Sequence, residues 1–204
     1  MGENLAAILR LLLVTDDVLL GRRDVVAVCQ AAVRGGITAV QLRLKHAPDS
    51  ALLDAAQRLV AELHVPVFVN DRVDVALAAG AAGAHLGPED LSPLLARAAV
   101  PAGFVIGASV GSEAEVARGL AADYWGIGPL RVTATKQDAG VALGLDRASS
   151  LRTHAAGKPC VVIGGVRPED VVAMRTAGFA GVAVASGILA SADIEAAARR
   201  YSQE

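Results

Sequence analysis

Short apolar runs alternate with amphipathic segments from one end of the chain to the other. The runs predict eight strands, at residues 11–14, 39–42, 65–69, 83–86, 105–108, 124–127, 160–163 and 181–184. Apolar residues at helical spacing predict a helix after each strand, at residues 24–34, 50–63, 74–79, 91–99, 112–120, 145–155, 168–176 and 191–201. Near-continuous apolar strands separated by helices indicate a parallel sheet covered by helices. Repeats of about 25 residues then predict closure into a (β/α)8 TIM barrel, an α/β fold, rather than an open doubly wound sheet.

Residues at the ends of these segments support the predicted helices. The candidate N-caps are Asp24, Asp49 or Ser50, and Ser112, and the glycines expected after helix ends are Gly35 and Gly178. No Pro- or Ser-rich linker and no low-complexity tract interrupts the pattern. We therefore expect a single domain over residues 1–204.

Composition and net charge limit the fold classes and the kinds of binding partner that the sequence supports. Apolar residues make up 53% of the 204 residues and aromatic residues only 3%, which favours helix-on-sheet packing of Ala, Val, Leu and Ile. A formal charge of −2 gives no reason to propose nucleic acid or an anionic membrane as a partner. The most hydrophobic stretch, residues 75–86, is shorter than the roughly 20 apolar residues of a membrane-spanning helix. Glu3 and Arg10 interrupt any apolar run at the start, so no signal peptide is expected.

Two cysteines lie far apart in apolar surroundings. Cys29 and Cys160 have no metal-ligand spacing. We interpret both as reduced core residues of a cytoplasmic protein. The sequence leaves a homo-oligomer open.

Polar residues or glycines lie around or after the end of every predicted strand except the first. In order along the chain they are Gln41, Arg43, Lys45, Asn70, Asp71, Asp90, Ser109, Thr133, Thr135, Lys136, Gly164, Gly165, Ser186 and Gly187. In such barrels the chemistry lies on the loops at the carboxyl ends of the strands. The sequence therefore predicts that these residues surround one mouth of the barrel.

The segment DYWGIGPLRVTATK, at residues 123–136, runs from a predicted strand through a Gly-Pro turn into a polar loop. Thr133, Thr135 and Lys136 bring two hydroxyls and an ammonium to one place. These groups are donors for phosphate oxygens, so the loop suits a diphosphate. A polar surface loop with a solvated lysine is the alternative.

Strand alternation places Gln41, Arg43 and Lys45 on one face, with Leu42 and Leu44 on the other. The leucines can face the helices while the polar set faces the mouth. Basic side chains there favour an anionic substrate. A strand end fraying into solvent is the alternative.

Asp71 and Asp90 follow neighbouring strands and can approach each other at the mouth. Hard oxygen ligands suit Mg²⁺, which usually takes one or two carboxylates with substrate oxygens and waters. Each aspartate alone could instead be a helix N-cap, Asp90 before Leu91 in particular.

Gly164, Gly165, Ser186 and Gly187 follow the last two strands, where many barrels bind phosphate with backbone N–H groups. Glycine lets the backbone approach an anion closely. Simple turns are the alternative reading of these residues.

The histidines share no spacing. His64 and His154 are expected at helix ends on the surface, His85 as a satisfied core group, and His46 beside Lys45 without an assigned role. No Ser/His/Asp or Cys/His arrangement is evident, so covalent nucleophilic catalysis is not expected.

With these residues in place, the chain resembles the thiamine phosphate synthases over nearly its whole length. The matching segments are LVTD at 13–16, VQLRLK ending at Lys45, VNDRVDVALAAGAAGAHLGPEDL at 69–91, IGASV from Ile106, DYWGIGPLRVTATKQDAG at 123–140 and VIGGV ending at Val166. The resemblance implies joining of 4-amino-5-hydroxymethyl-2-methylpyrimidine diphosphate to a thiazole phosphate, with Mg²⁺ as cofactor and both substrates as small-molecule partners.

The resemblance also implies roles for individual residues. The pyrimidine diphosphate would be held by Gln41, Arg43, Lys45, Asn70, Ser109, Thr133, Thr135 and Lys136, and Mg²⁺ by Asp71 and Asp90. Gly165 and Ser186 would lie at the thiazole phosphate, and Gly187 beside Ser186 is also expected to bind substrate. Lys136, Ser109 and Lys45 are the expected catalytic residues.

The chain departs from the family pattern at a few positions. The family usually has an acidic residue at Leu44, a Tyr at Leu12, a Gln at Pro88 and an aromatic residue near Arg131. Leu44 removes one candidate partner for Lys45 or Arg43, and Arg131 adds a charge beside the diphosphate loop. Thiazole tautomerases share the barrel but typically lack the full Thr/Lys loop and metal set, which are intact here. A tautomerase-like enzyme and a non-catalytic barrel that binds a phosphorylated ligand remain the alternatives.

Overall fold

The strands close into a parallel barrel. The computed structural model describes residues 2–132 and 141–203, with side chains from residue 5 onward. The strands are β1 (Leu11–Val14), β2 (Ala39–Leu42), β3 (Val67–Asn70), β4 (Gly83–Leu86), β5 (Val105–Val110), β6 (Tyr124–Ile127), β7 (Cys160–Ile163) and β8 (Gly181–Val184). Each strand pairs in parallel with the next, and β8 pairs with β1. The predicted TIM barrel is confirmed, whereas the extent of the domain stays a prediction.

The helices cover the outside of this barrel. They are α1 (Gly2–Ile8), α2 (Asp17–Leu20), α3 (Val25–Arg34), α4 (Asp49–Glu62), α5 (Val73–Ala78), α6 (Pro93–Ala99), α7 (Glu113–Gly119), α8 (Gly144–Thr153), α9 (Val171–Thr176), α10 (Ser186–Leu189) and α11 (Ile194–Ser202), with a 3₁₀ turn at Pro168–Asp170 before α9. The short helices α2 and α10 were not predicted, because four residues are too few to show a periodic pattern. The helix α1, which precedes the first strand, was not predicted either.

Local capping explains several helix starts. Asp24 accepts a hydrogen bond from the Ala27 N–H and caps α3, as predicted. The predicted cap of α4 is wrong, because Pro48 occupies the N-cap position and Asp49 already belongs to the helix. Ser112 occupies the N-cap position of α7 without a side-chain hydrogen bond.

Two strands differ from their predicted bounds in a way that matters for the site. β3 ends at Asn70, and the following Asp71 N–H donates to the His85 carbonyl at 2.8 Å. β5 continues to Val110, because Ser109 is paired in register with Gly126 of β6. Asn70 and Ser109 are therefore strand residues whose backbones are fixed by the sheet.

The strands separate two apolar cores. On β1, Leu11 and Leu13 join the core between barrel and helices, whereas Leu12 and Val14 join a smaller core inside the barrel. Leu9, which follows α1, also packs into the inner core. An open cavity lies toward the carboxyl ends of the strands.

Both cysteines lie in the outer core, as predicted. Burial raises the pKa of the Cys29 thiol, and that of the Cys160 thiol, to about 12. Among the helices of the described segments, none combines the length and hydropathy needed to cross a bilayer.

Candidate active site

A cavity of about 370 Å³ opens at the carboxyl ends of the strands. Its lining includes the predicted residues Gln41, Arg43, Lys45, Asn70, Asp71, Asp90, Ser109, Gly164, Gly165, Ser186 and Gly187. The predicted donors Thr133, Thr135 and Lys136 lie outside the described residues. Strand alternation places Gln41, Arg43 and Lys45 toward this cavity, while Leu42 and Leu44 pack into the outer core.

A pair of amide side chains forms part of the cavity wall. The Gln41 Nε2 group donates to the Asn70 Oδ1 oxygen at 2.7 Å, and Gln41 is buried. Within residues 2–132 and 141–203, neither the side-chain oxygen Oε1 of Gln41 nor the side-chain nitrogen Nδ2 of Asn70 makes a hydrogen bond. The pair can therefore offer one acceptor and one donor to a heterocyclic ligand.

Arg43 is held by residues that sequence reasoning missed. Its Nη1 donates to the Asp16 Oδ2 oxygen at 2.8 Å, with side chains only 15% and 7% exposed. The Thr15 hydroxyl accepts from the Arg43 N–H at 2.8 Å and donates to the Arg43 carbonyl at 3.1 Å. Thr15 and Asp16 directly follow β1, which was the one strand without an assigned polar residue. The signal was their position after a strand, in the LVTD segment.

Lys45 and Asp71 form an ion pair in the lining of the cavity. The Lys45 Nζ donates to the Asp71 Oδ2 oxygen at 2.8 Å, and the lysine side chain is 44% exposed. Leu44 stands where the family usually has an acidic residue, but both neighbouring basic side chains still have an acidic partner. Lys45 pairs with Asp71, and Arg43 pairs with Asp16. Asp71 has a φ of 66°, a left-handed conformation that aspartate adopts more readily than most residues.

Asp90 faces Asp71 and is not a helix cap. Its Oδ2 accepts from the Gly87 N–H at 2.7 Å, and a Cβ at position 87 would lie 2.9 Å from that oxygen. The cap of α6 is Ser92, which accepts from the Leu95 N–H. The N-cap interpretation of Asp90 is wrong, because the chain between β4 and α6 folds the carboxylate back toward the mouth.

The two carboxyl groups lie within hydrogen-bonding reach and shift each other's pKa. Burial, followed by the hydrogen bond and charge of Asp71, raises the pKa of Asp90 to about 6. Burial alone would raise the pKa of Asp71, but its hydrogen bonds to Asp90 and Lys45 outweigh burial and lower it. The pair therefore concentrates negative charge at the rim once Asp90 ionises.

This donor set fits a hard divalent cation. Two carboxylates at the rim of an open cavity leave coordination positions for substrate oxygens and water, which is the usual arrangement for Mg²⁺. Among the described side chains, no group of three or more His, Cys, Asp or Glu residues could hold a metal. Asp71 and Asp90 therefore suit a metal that is shared with a substrate better than a structural metal.

His85 links the interior of the barrel to the cavity. Its Nε2 lies 3.0 Å from the Ser109 Oγ, and its Nδ1 lies 3.0 Å from the Tyr124 hydroxyl. Burial raises the pKa of the Tyr124 phenol well above its usual range. The prediction of a satisfied histidine is correct, but His85 also lines the cavity, which that prediction did not include. His46 instead contacts Asp17 outside the cavity.

The turn after β7 brings backbone to the cavity. Gly164 and Gly165 have φ values of 90° and 66°, which side chains other than glycine rarely adopt. A Cβ at Gly164 would lie 2.6 Å from the Pro129 Cβ, so this position also requires glycine for packing. Glycine is therefore required here for its positive φ and, at Gly164, for packing against Pro129, and it leaves the backbone of this turn exposed to the cavity.

Comparison with known proteins decides the family. A family model described as thiamine monophosphate synthase matches residues 11–188. The chain belongs to the thiamine monophosphate synthase family. As a member of that family it is an enzyme of the transferase class with thiamine-phosphate synthase function.

Relatives match this chain along nearly their whole length. The thiamine-phosphate synthase of Azorhizobium caulinodans is 44% identical over 196 residues, covering 94% of this chain and 92% of the relative. That of Xanthobacter autotrophicus shows the same identity and coverage. The solved structure of a thiamine phosphate pyrophosphorylase from Pyrococcus furiosus is 33% identical with a TM-score of 0.84, covering 98% of this chain and 96% of that one.

Residues that depart from the thiamine monophosphate synthase pattern occupy distinct places. Leu12 and Pro88 line the cavity, so they change its surface. Leu44 packs against the outer core. Arg131 pairs with Asp170 and is considered below.

Proposed function

We propose that this enzyme joins 4-amino-5-hydroxymethyl-2-methylpyrimidine diphosphate to a thiazole phosphate, releasing diphosphate and forming thiamine phosphate. The observation that carries this assignment is the carboxyl pair Asp71 and Asp90 beside the Lys45 ammonium, at the mouth of one cavity. Acidic and basic groups together suit a substrate whose own negative charge is bridged by a metal.

Asp71 and Asp90 would hold Mg²⁺ in this proposal. When bound, Mg²⁺ would neutralise charge on the diphosphate and so make it a better leaving group. The remaining steps depend on residues of the chain itself.

The proposed reaction is a dissociative substitution. The bond between the pyrimidine methylene carbon and the diphosphate oxygen breaks, and its electron pair leaves with the diphosphate. The thiazole nitrogen then donates its lone pair to the methylene cation and forms the carbon–nitrogen bond. No nucleophile from the protein is needed, in agreement with the absence of a triad from the sequence.

The polar side chains of the cavity fit this sequence of events. Gln41 and Asn70 supply an acceptor and a donor for the aminopyrimidine. Lys45 and Arg43 supply positive charge for the diphosphate, and their ion pairs fix where that charge lies. Ser109, held next to His85, can donate a hydrogen bond to the leaving group.

The other proposed donors to the diphosphate are Thr133, Thr135 and Lys136, which rest on the sequence. Gly165, Ser186 and Gly187 line the opposite part of the cavity wall and are proposed to bind the phosphate of the thiazole. A cytoplasmic location remains a prediction.

The assay is incubation of the purified protein with both substrates and Mg²⁺, following thiamine phosphate by chromatography and diphosphate by a coupled assay. Equal amounts of both products are expected, with no product when either substrate is omitted. Saturable binding of the thiazole phosphate without diphosphate release would instead indicate a non-catalytic barrel. Isomerisation of a thiazole carboxylate in the absence of the pyrimidine would indicate a tautomerase.

A further inference from the structure

Arg131 connects the segment after β6 to the turn after β7. Its Nη1 and Nη2 donate to the two oxygens of Asp170, at 2.6 and 2.7 Å. The same Nη1 donates to the Gly165 carbonyl at 2.9 Å. The Asp170 side chain is 12% exposed and the Arg131 side chain 41%. This is a two-pronged ion pair with a third hydrogen bond to the backbone of the cavity turn.

Backbone hydrogen bonds bring the two segments together before the side chains meet. The Leu130 N–H donates to the Ile163 carbonyl at 2.8 Å, and the Arg131 N–H donates to the Gly164 carbonyl at 2.9 Å. The pairing of β6 and β7 thus continues into the turn. A Cβ at Gly165 would lie 2.9 Å from the Arg131 Cβ, so this contact is close.

Asp170 fixes the carboxyl-terminal end of the same turn through hydrogen bonds. It accepts from the Arg167 N–H at 2.7 Å while it holds the Arg131 guanidinium. Its hydrogen bond to Arg131 is the main cause that lowers the pKa of this carboxyl group. The segment from Gly165 to Asp170 is therefore fixed at both ends through one guanidinium.

The contact to Gly165 sets the direction of a peptide group that faces the cavity. A trans peptide is planar, so its N–H points away from its C=O. Arg131 holds the Gly165 carbonyl, and the N–H of the same peptide belongs to Val166 and points the opposite way. Gly165 and Val166 both line the cavity. In the described part of the chain, neither of their N–H groups has an acceptor.

We propose that Arg131 is a positioning residue that orients the Gly165–Val166 peptide for the phosphate of the thiazole substrate without contacting that phosphate. Its charge is already paired with Asp170, and three hydrogen bonds occupy its two terminal nitrogens. The inference rests on the proposed function, in which this turn binds the thiazole phosphate.

The test uses variants that break the pair from each side. Arg131→Met removes the guanidinium, and Asp170→Asn removes the carboxylate. Each is expected to raise the KM for the thiazole phosphate roughly tenfold, with kcat within about twofold, because pre-organised binding is lost without loss of a group that acts on the transition state. The KM for the pyrimidine diphosphate should stay near the wild-type value.

Arg131→Lys separates positioning from charge. Lysine keeps the positive charge but lacks the planar fork, so it should behave like Arg131→Met. The double variant Arg131→Met/Asp170→Asn leaves no unpaired charge and should be no worse than the worse single variant. This double variant also keeps the test decisive if Arg131→Met alone folds poorly. Arg175→Met is the matched control, since it removes an exposed arginine from α9.

A binding measurement separates this inference from the proposed function. Calorimetry would measure the affinity of inorganic phosphate in the presence of saturating Mg²⁺ and inorganic diphosphate, which occupy the other subsite. Weaker phosphate binding by Arg131→Met and Arg131→Lys, but not by Arg175→Met, supports the positioning role even if the wild-type protein fails to turn over both substrates. Wild-type phosphate affinity in Arg131→Met, full rescue by Arg131→Lys, or a raised KM confined to the pyrimidine diphosphate would overturn it.

Discussion

Asp90 should make the metal-free enzyme less stable than a variant that cannot ionise at this position. The carboxyl group is half-buried beside Asp71, and its pKa rises from 3.8 to about 6. Asp90→Asn keeps an oxygen that can accept from the Gly87 N–H and adds an amide that can donate to Asp71. We therefore expect this variant to be more stable than wild type without metal, and inactive with Mg²⁺.

The direction of the pH dependence follows from proton binding. Below pH 3.8 the carboxyl group is protonated in the folded and the unfolded chain, so it contributes no difference. Between pH 3.8 and about 6 the unfolded chain loses this proton first, so the free energy of unfolding falls as pH rises. Above about pH 6 the carboxyl group is ionised in both states, so the free energy of unfolding falls no further. Discounted for partial exposure and solvent screening, the total decrease in the free energy of unfolding is about 1–2 kcal/mol.

Urea unfolding with a chelator tests this expectation. At pH 8, Asp90→Asn should exceed wild type by about 1–2 kcal/mol in the free energy of unfolding, and the gap should close near pH 4. Asp54→Asn, an exposed carboxylate on α4, is the matched control and should show no gap that grows with pH. Equal or lower stability of Asp90→Asn at pH 8 would refute the reasoning. Mg²⁺ with inorganic diphosphate should then stabilise wild type but not Asp90→Asn.

Substitutions at three further positions test other parts of the site and fold. Lys136→Ala should lower kcat by roughly 10²-fold, more than it weakens binding of the pyrimidine diphosphate; steady-state kinetics that show only a raised KM would mean that this lysine merely holds substrate. Asp71→Asn should lose most turnover but little stability, because asparagine tolerates the positive φ of 66°, whereas Asp71→Ala should also lose about 1 kcal/mol in urea unfolding. Near-native turnover of Asp71→Asn at limiting Mg²⁺ would contradict the two-carboxylate site. Gly107→Ala should destabilise the fold by about 1–3 kcal/mol, because the new Cβ would lie 2.3 Å from the Tyr124 ring and 2.5 Å from the His85 Nδ1. A thermal midpoint equal to that of wild type would show that the barrel interior yields.

The repeating pattern of apolar strands and amphipathic helices was sufficient to predict the barrel. Strand periodicity alone placed Gln41, Arg43 and Lys45 on the cavity side, with the intervening leucines in the outer core. The approach of Asp71 to Asp90 was also predictable, since consecutive strands are neighbours in a parallel barrel and their loops share one end. These features depend on local periodicity and on chain order, and both can be read from the sequence.

The pairing of individual side chains was decided only by the tertiary structure. Arg43 forms an ion pair with Asp16, 27 residues away in the sequence, and Arg131 forms one with Asp170, 39 residues away. Asp90 has the sequence context of a helix cap, and only the loop conformation shows that its carboxylate turns back toward Asp71. Barrel closure and strand register fix how far apart such groups lie, and loop backbone conformation fixes where they point. Burial between those elements then sets the pKa of Asp90, because desolvation depends on neighbours that are distant in the chain.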